Sequence, residues 1–321
     1  MRKKLLIGLS LVSLLALGGC SANSKESTSK VKHVGVLQLV QHPSLDKSYT
    51  GFKKGLKEGG YVEGKNVKFD YQNAQNSQDN LKSMSDKLVK DRPDLLLGIA
   101  TPAAQSLANA TTTIPTVVTA VTDLKAAKLV KSNEKPGGNI TGTHDMGPIE
   151  KQVELLLSIV PKAKKIGIMY NAGESNSKIQ ADRALKVLKK AGVEAVVKTA
   201  NSTNDVQQAT ETLASSTDGI YIPTDNTFAS AAEIIGKVAK EKKIPVVAGA
   251  VDQVKTGGLA TLGIDFEEIG VQTGRMAAKI LDGKAKPADI PVEAPKTLKL
   301  YVNKEMAQAL GINPTSIKAP K

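Results

Sequence analysis

The 321-residue sequence has no tryptophan, three histidines and a single cysteine, and aromatic residues make up only 3% of it. One cysteine cannot close an intramolecular disulfide, so the fold rests on packing rather than on crosslinks. With that one thiol at position 20, in the N-terminal leader region, none remains for a Cys–His nucleophile pair or a cysteine-rich metal centre. No Gly-Lys-Ser/Thr phosphate loop and no Gly-x-Gly-x-x-Gly fingerprint follows any apolar run, which argues against nucleotide and dinucleotide chemistry. The scarcity of aromatics leaves few platforms on which bases could stack. The formal net charge is +13, but it comes from lysines spread over polar helix faces without arginine-rich runs. Nucleic acid is therefore not the expected partner, and the charge reads as a solvated surface suited to anionic surroundings. The missing tryptophan also counts against a sugar, whose pyranose faces commonly stack on indole rings.

What is present is a globular balance, 40% hydrophobic and 23% charged, in a chain long enough for two domains of ordinary size. Met1-Arg2-Lys3-Lys4 is a basic start, and residues 5–17 are apolar apart from Gly and Ser. Leu17-Gly18-Gly19-Cys20 follows. This pattern predicts a secretory signal over residues 1–19, too short for a stable membrane span. Its removal takes three positive charges, lowers the formal charge to +10 and leaves Cys20 at the new N-terminus. The site resembles the lipobox of bacterial lipoproteins, which implies an acylated Cys20. Residues 20–30 are Ser, Asn, Lys and Thr with almost nothing apolar, a flexible tether.

From residue 31 onward strand and helix patterns alternate. Strands are predicted over 34–39, 67–71, 95–99, 115–121 and 139–143, then over 165–170, 194–198, 219–222, 245–248, 257–265 and 298–303. Between them lie helices ending near 60, over 78–90, 101–110, 149–159, ending near 191, over 205–214, 228–241 and 267–281, with a short one after Asp123. The fold class is α/β: two Rossmann-like lobes, each a parallel sheet covered on both faces, with late extended segments crossing between them. The halves correspond. Gln41-His42-Pro43-Ser44 matches Asn171-Ala172-Gly173-Glu174-Ser175, and Thr101-Pro102 matches Pro223-Thr224-Asp225-Asn226-Thr227. A cleft therefore lies where both sets of strand ends face each other. One of its walls is the stretch 94–105, a buried strand turning abruptly into a helix with Pro102 in the first turn and Thr101 as the expected cap. The free N–H groups of such a helix start suit an anion such as a carboxylate.

Several motifs occur together in this order: the lipobox, His42-Pro43-Ser44-Leu45-Asp46, Gly98-Ile99-Ala100-Thr101-Pro102-Ala103-Ala104-Gln105, Tyr170-Asn171-Ala172-Gly173-Glu174-Ser175-Asn176-Ser177, Ile222-Pro223-Thr224-Asp225-Asn226 and Gly263-Ile264-Asp265-Phe266. In combination they resemble the substrate-binding lipoproteins of ABC importers, in the branch that takes up tryptophan and other aromatic amino acids. The resemblance spans the mature chain. It implies the type I periplasmic-binding-protein fold, with a three-segment hinge dividing lobe 1 (31–141 and 266–291) from lobe 2 (142–265 and 292–321). The lobes are expected to hinge near 141–142 and 263–264. Phe266 stands where that family often has tyrosine.

For a free amino acid the resemblance implies three kinds of contact. Thr101, Pro102, Ala103 and Ala104, with the 120–122 loop ending at Thr122, are expected to hold the carboxylate. Asp225 first, then Glu174, Asp145 and Asp252, are expected to hold the ammonium. Leu39, Pro43, Pro102, Tyr170 and Phe228 are the expected apolar lining. Gln41, His42, Asp123, Asn171, Ser175, Asn176, Asn226 and Asp265 complete the expected site. Helix capping competes for Asp123 and Asp265, and less for Asp225, since Thr224 and Thr227 stand ready to cap instead. No cofactor and no metal is expected. The implied function is an extracytoplasmic binding protein, monomeric and held to the bacterial membrane by lipid on Cys20, delivering an aromatic L-amino acid, tryptophan before the others, to an ABC permease and its ATPase. A ligand sensor for another small solute, or an α/β enzyme, are the alternatives. The lipobox makes a definite forecast: mass spectrometry of membrane-extracted protein should show a chain beginning at an acylated Cys20, and a mature chain free of lipid refutes it.

Overall fold

The computed structural model describes residues 31–320; the expected signal, Cys20 and the tether over 20–30 lie outside the described residues. The first group of elements is β1 (Lys32–Gln38), α1 (Pro43–Glu58), β2 (Val67–Asn73), α2 (Gln78–Lys90), β3 (Leu95–Ile99), α3 (Thr101–Ala110), β4 (Thr116–Val121) and β5 (Ile140–His144). Its strands form one parallel sheet in the order β2-β1-β3-β4-β5. Every residue of β3 and β4 is buried, as apolar runs covered on both faces must be.

The second group runs α4 (Ile149–Ile159), β6 (Lys165–Tyr170), α5 (Ser175–Lys190), β7 (Glu194–Thr199), α6 (Val206–Ala214), β8 (Gly219–Ile222), α7 (Asn226–Ser230), α8 (Ala232–Lys242), β9 (Val246–Ala248), α9 (Val251–Thr256) and β10 (Ala260–Ile264). Then come α10 (Phe266–Leu281), β11 (Leu298–Val302) and α11 (Lys304–Ala309). The second sheet is ordered β11-β10-β9-β8-β6-β7. Each sheet carries its own apolar core, one around Phe52, Leu96 and Ile269, the other around Tyr221, Phe228 and Leu156.

Four details depart from the pattern expected of the sequence. The sheets are parallel except at one edge, where β11 runs antiparallel to β10 because the chain returns from α10 without a crossover helix on the second sheet. The helix expected over 228–241 is two helices broken at Ala231, where the Ser230 hydroxyl bonds back to the Asn226 carbonyl. After Asp123 there is a turn rather than a helix, closed by the Ala126 N–H on the Asp123 carboxylate at 2.9 Å. Residues 251–256, unassigned from the sequence, form α9.

The chain passes between the sheets three times, after β5, between β10 and α10, and between α10 and β11. Residues 141–142 lie inside β5 and 263–264 close β10, so the passages themselves fall one to several residues later. The boundary expected at residue 141 lies inside β5.

Parallel contact between α1 and α10 is the tightest helix crossing. Gly51, Gly55 and Gly59 on α1 meet Gly270, Gly274 and Ala278 on α10. A Cβ at Gly55 would lie 2.2 Å from the Val271 carbonyl oxygen, and one at Gly274 would lie 2.2 Å from that of Phe52. Backbone faces backbone, so nothing flexible can yield. Gly55→Ala is expected to cost about 2 kcal/mol by overpacking despite alanine's better helix propensity. The exposed Gly138→Ala, with nothing within 4 Å of its added carbon, should change stability by less than about 0.5 kcal/mol. Equilibrium urea unfolding of both variants checks the pair.

Candidate functional site

Strand ends of both sheets meet over a small cavity. From the first lobe it is lined by His42, Ser44 and Leu45 at the start of α1, by Ala120 and Thr122 at the end of β4, and by Asp145 on the first passage. The second lobe contributes Asn176, Thr224, Asp225, Asn226, Ala229, Ala250 and Gln253, and Phe266 opens α10. Its volume of about 20 Å³ is room for a water molecule. Anything larger needs the lobes to part.

The acidic residues around this cavity divide by what already occupies them. Asp225 accepts the Asn171 N–H at 2.7 Å and, as N-cap of α7, the Phe228 N–H at 2.9 Å. The capping expected of Thr224 or Thr227 therefore falls to Asp225, whose carboxylate reaches the third residue on. Burial and then the neighbouring Glu174 push the Asp225 carboxyl above the usual carboxylate range. Glu174 is equally committed: it accepts from the Asn226 side chain, from the N–H groups of Asn226 and Thr227 at 3.3 Å each, and from the Thr227 hydroxyl at 3.2 Å. Asp252 pairs across the cleft with Lys47 and accepts from the Ser44 hydroxyl at 3.4 Å. Asp145 differs. It is 4% exposed, and its Oδ1 has no partner among the described residues. Burial raises its carboxyl to about 6, with Thr122 and its own N–H drawing the value back down.

Two amides share this condition. The Asn176 Oδ1 and both side-chain atoms of Gln253 are buried without partners among the described residues. His42 caps nothing with its side chain. Burial lowers it to about 4, so its imidazole is neutral, and its Nε2 lies 3.4 Å from the Asn226 Oδ1 in the other lobe. Gln180 also spans the cleft, donating to the Thr122 hydroxyl at 3.3 Å while its Oε1 accepts the Thr224 hydroxyl at 2.8 Å.

Of the residues expected from the sequence, the cavity gathers His42, Thr122, Asp145, Asn176, Asp225 and Asn226. Gln41 is exposed; Thr101, Ala103 and Ala104 are buried away from this cavity, and Pro102 and Ser175 line a separate surface groove. Thr101 is the first residue of α3 rather than its cap; that position belongs to Ala100, at φ 80°. The unpaired helix start at the cavity is that of α1, where Ser44 and Leu45 have N–H groups with no partner inside the helix. Asp123 closes its turn, and Asp265 caps α10 through the Glu267 and Glu268 N–H groups while pairing with Lys299 at 3.1 Å. Asn171 braces Asp225 and Thr227. Tyr170 packs against the second core, Phe228 lies within it and Leu39 lies in the first, so the apolar wall is instead Leu45, Ala120, Ala229, Ala250 and Phe266. Leu45, Thr224, Ala229, Ala250 and Gln253 were not expected from the sequence. The strand-end rule that picked 225–226 also picked Asp252, and it extends to Ala250 and Gln253 once α9 is recognised.

Two α/β lobes with a cleft at their strand ends and three passages between them define the type I periplasmic-binding class. Residues 33–317 match the family described as ABC transporter substrate binding protein, and the chain belongs to that family. It is 42% identical over 327 residues to a tyrosine-binding protein of Clostridioides difficile (strain R20291), covering 98% of this chain and 94% of the relative. It is also similar to the ABC domain of Streptococcus pneumoniae solved in complex with L-Trp, with 42% identity, a TM-score of 0.84 and coverage of 88% and 95%. The ligand-free, open structure of a Clostridium difficile substrate-binding protein with adhesive properties is 44% identical over 88% and 96% of the two chains, yet its TM-score is 0.68. With sequence identity and coverage this close, the lobe arrangement here is nearer to that of the L-Trp complex.

Asp145 makes the site pH-sensitive. Its value in the folded chain lies above the ordinary 3.8, so folding favours the protonated form, and stability contributed by this group is lost as pH rises from about 4 through about 6. A cationic ligand needs the ionised form. Its affinity is therefore expected to be level above pH 6 and to fall up to about tenfold per unit below it, with His42 adding repulsion only near pH 4. Calorimetric titrations at pH 5, 6 and 7.5 check this; Asp145→Asn should flatten the profile between 5 and 7.5.

Proposed function

We propose that the chain captures an aromatic L-amino acid between its lobes and presents it to an ABC permease and its ATPase. The observation that carries this reading is Asp145: a buried carboxylate with a free oxygen, in a cavity whose other polar walls are neutral or already committed. An α-ammonium is the group that offsets such a charge in a water-poor site. The N–H groups of Ser44 and Leu45 at the start of the 16-residue α1, with the Thr122 hydroxyl, suit the α-carboxylate. Leu45, Ala250 and Phe266 suit an apolar side chain. The relatives named for tyrosine or solved with L-Trp point the same way. Tryptophan is the first candidate; a scavenger built without tryptophan can be made when that amino acid is short. The committed hydrogen bonds of Asp225 and Glu174 support a scaffolding role for them and favour Asp145 as the partner of the ammonium. Nothing in this reading asks for bond-making, so the ligand leaves as it arrived. Lipid on Cys20 would hold the protein, as a monomer, on the outer face of the cell membrane.

A thermal-shift screen of the twenty amino acids tests the ligand class, because binding to the folded state alone raises the midpoint by mass action. Tryptophan and tyrosine should give the largest shifts, and Asp145→Asn should weaken binding by about 1.5–3 kcal/mol. A response to a sugar or peptide with none to any aromatic amino acid refutes the assignment.

A further inference from the structure

Gln253 is the one cavity residue with both ends of a polar side chain unused. It is 5% exposed, and neither its Nε2 nor its Oε1 has a partner among the described residues. It stands on α9, on the wall shared with Ala250, and its other side borders a small void lined by Ile222, Ile235 and Val246. The amide thus lies between the cavity and an apolar void, buried where an unpaired donor or acceptor is costly. The remaining orphaned polar atoms of the cavity belong to Asp145 and Asn176, on the passage after β5 and at the start of α5. An ammonium accounts for an acceptor such as Asp145. It does not account for a buried primary amide with both a donor and an acceptor unused.

We infer that Gln253 is the specificity-determining residue that reads the polar handle of the ligand's aromatic ring: the amide oxygen accepts an indole N–H or a phenol O–H, and the amide nitrogen can donate to a phenol oxygen. This deepens the proposed function and rests on it. Its consequence is selection against phenylalanine. A ring without a handle leaves the buried amide unpaired, and sites built to hydrogen-bond a ligand group reject analogues lacking it far more strongly than apolar pockets reject a size change. The same logic predicts that removing the amide from the free protein costs little, because no existing bond is broken.

The experiment is calorimetric titration of wild type and Gln253→Met with L-tryptophan, L-tyrosine, L-phenylalanine and 1-methyl-L-tryptophan, alongside thermal melts without ligand. Wild type should bind tryptophan or tyrosine about ten- to a hundredfold more tightly than phenylalanine, and tryptophan more tightly than its N-methyl analogue. Gln253→Met should melt no lower than wild type, bind phenylalanine at least as well, and bring the four affinities to within a few-fold. Wild type binding phenylalanine as tightly as tyrosine and tryptophan, or a selectivity unchanged in Gln253→Met, overturns this role and leaves the aromatic ligand standing. Binding of none of the four by wild type overturns both.

Discussion

Closing two lobes over a polar cleft buries groups that water would otherwise satisfy, and the rest of the design answers to that cost. Asp145, Asn176 and Gln253 each carry a side-chain atom sealed from solvent without a partner among the described residues. Each such group typically costs about 1–3 kcal/mol, more for an ionised one. Against this stand the bonds made by closure itself: Lys47 on Asp252, His42 on Asn226, Asn76 on Thr227 and Gln180 on Thr122. Most are neutral or half exposed, contributions of modest size. The two sides are of the same order. A molecule that satisfies the orphaned groups then tips the balance toward closure, which is how a ligand shifts a population that it does not create.

This arrangement demands that the groups awaiting a ligand be held rigidly by groups that are not. Asp225 and Glu174 serve that purpose in the second lobe. Between them they engage the N–H groups of Asn171, Asn226, Thr227 and Phe228, which ties the end of β6 to the start of α7. Two carboxylates so close would repel if both were fully charged, and burial together with that repulsion raises Asp225 above the ordinary range. Their environment is electrostatically expensive and mechanically stiff. That suits a scaffold, and it explains why an acidic residue at a strand end need not be a ligand contact.

The lobes and their order were legible because buried parallel strands leave continuous apolar runs such as 95–99 and 117–121, and because turn chemistry marks their ends. Which carboxylate is free was not legible. Asp225 and Asp145 look alike in the sequence, each at a strand end among threonines. What separates them is the supply of backbone donors: α7 begins beside Asp225, whereas Asp145 lies on an extended passage between the sheets. The turn at Ala100, with φ 80°, was equally hidden, since alanine gives no sign of a left-handed conformation. Gln253 escaped notice for a different reason. Helix α9 is six residues long, too short to show a period.

The small residues of α1 and α10 join these threads, although their four-residue spacing attracts no notice in a reading aimed at chemistry. The helices run parallel, with Gly51 against Glu267 and Gly55 against Val271, so the start of α10 lies beside the middle of α1, about two turns in from its N-terminus. One start carries His42, Ser44 and Leu45; the other carries Asp265 and Phe266, immediately after the second passage between the lobes. Backbones in direct contact cannot slide as side-chain layers can, so a rotation about that passage moves Phe266 and Leu45 as one body. Leu45 and Phe266 thus keep their mutual arrangement, while the second lobe sets Ala229, Ala250, Gln253 and Asn176 against them. Each lobe supplies part of the apolar wall and part of the polar set, so a molecule meets the full site only where both lobes face it.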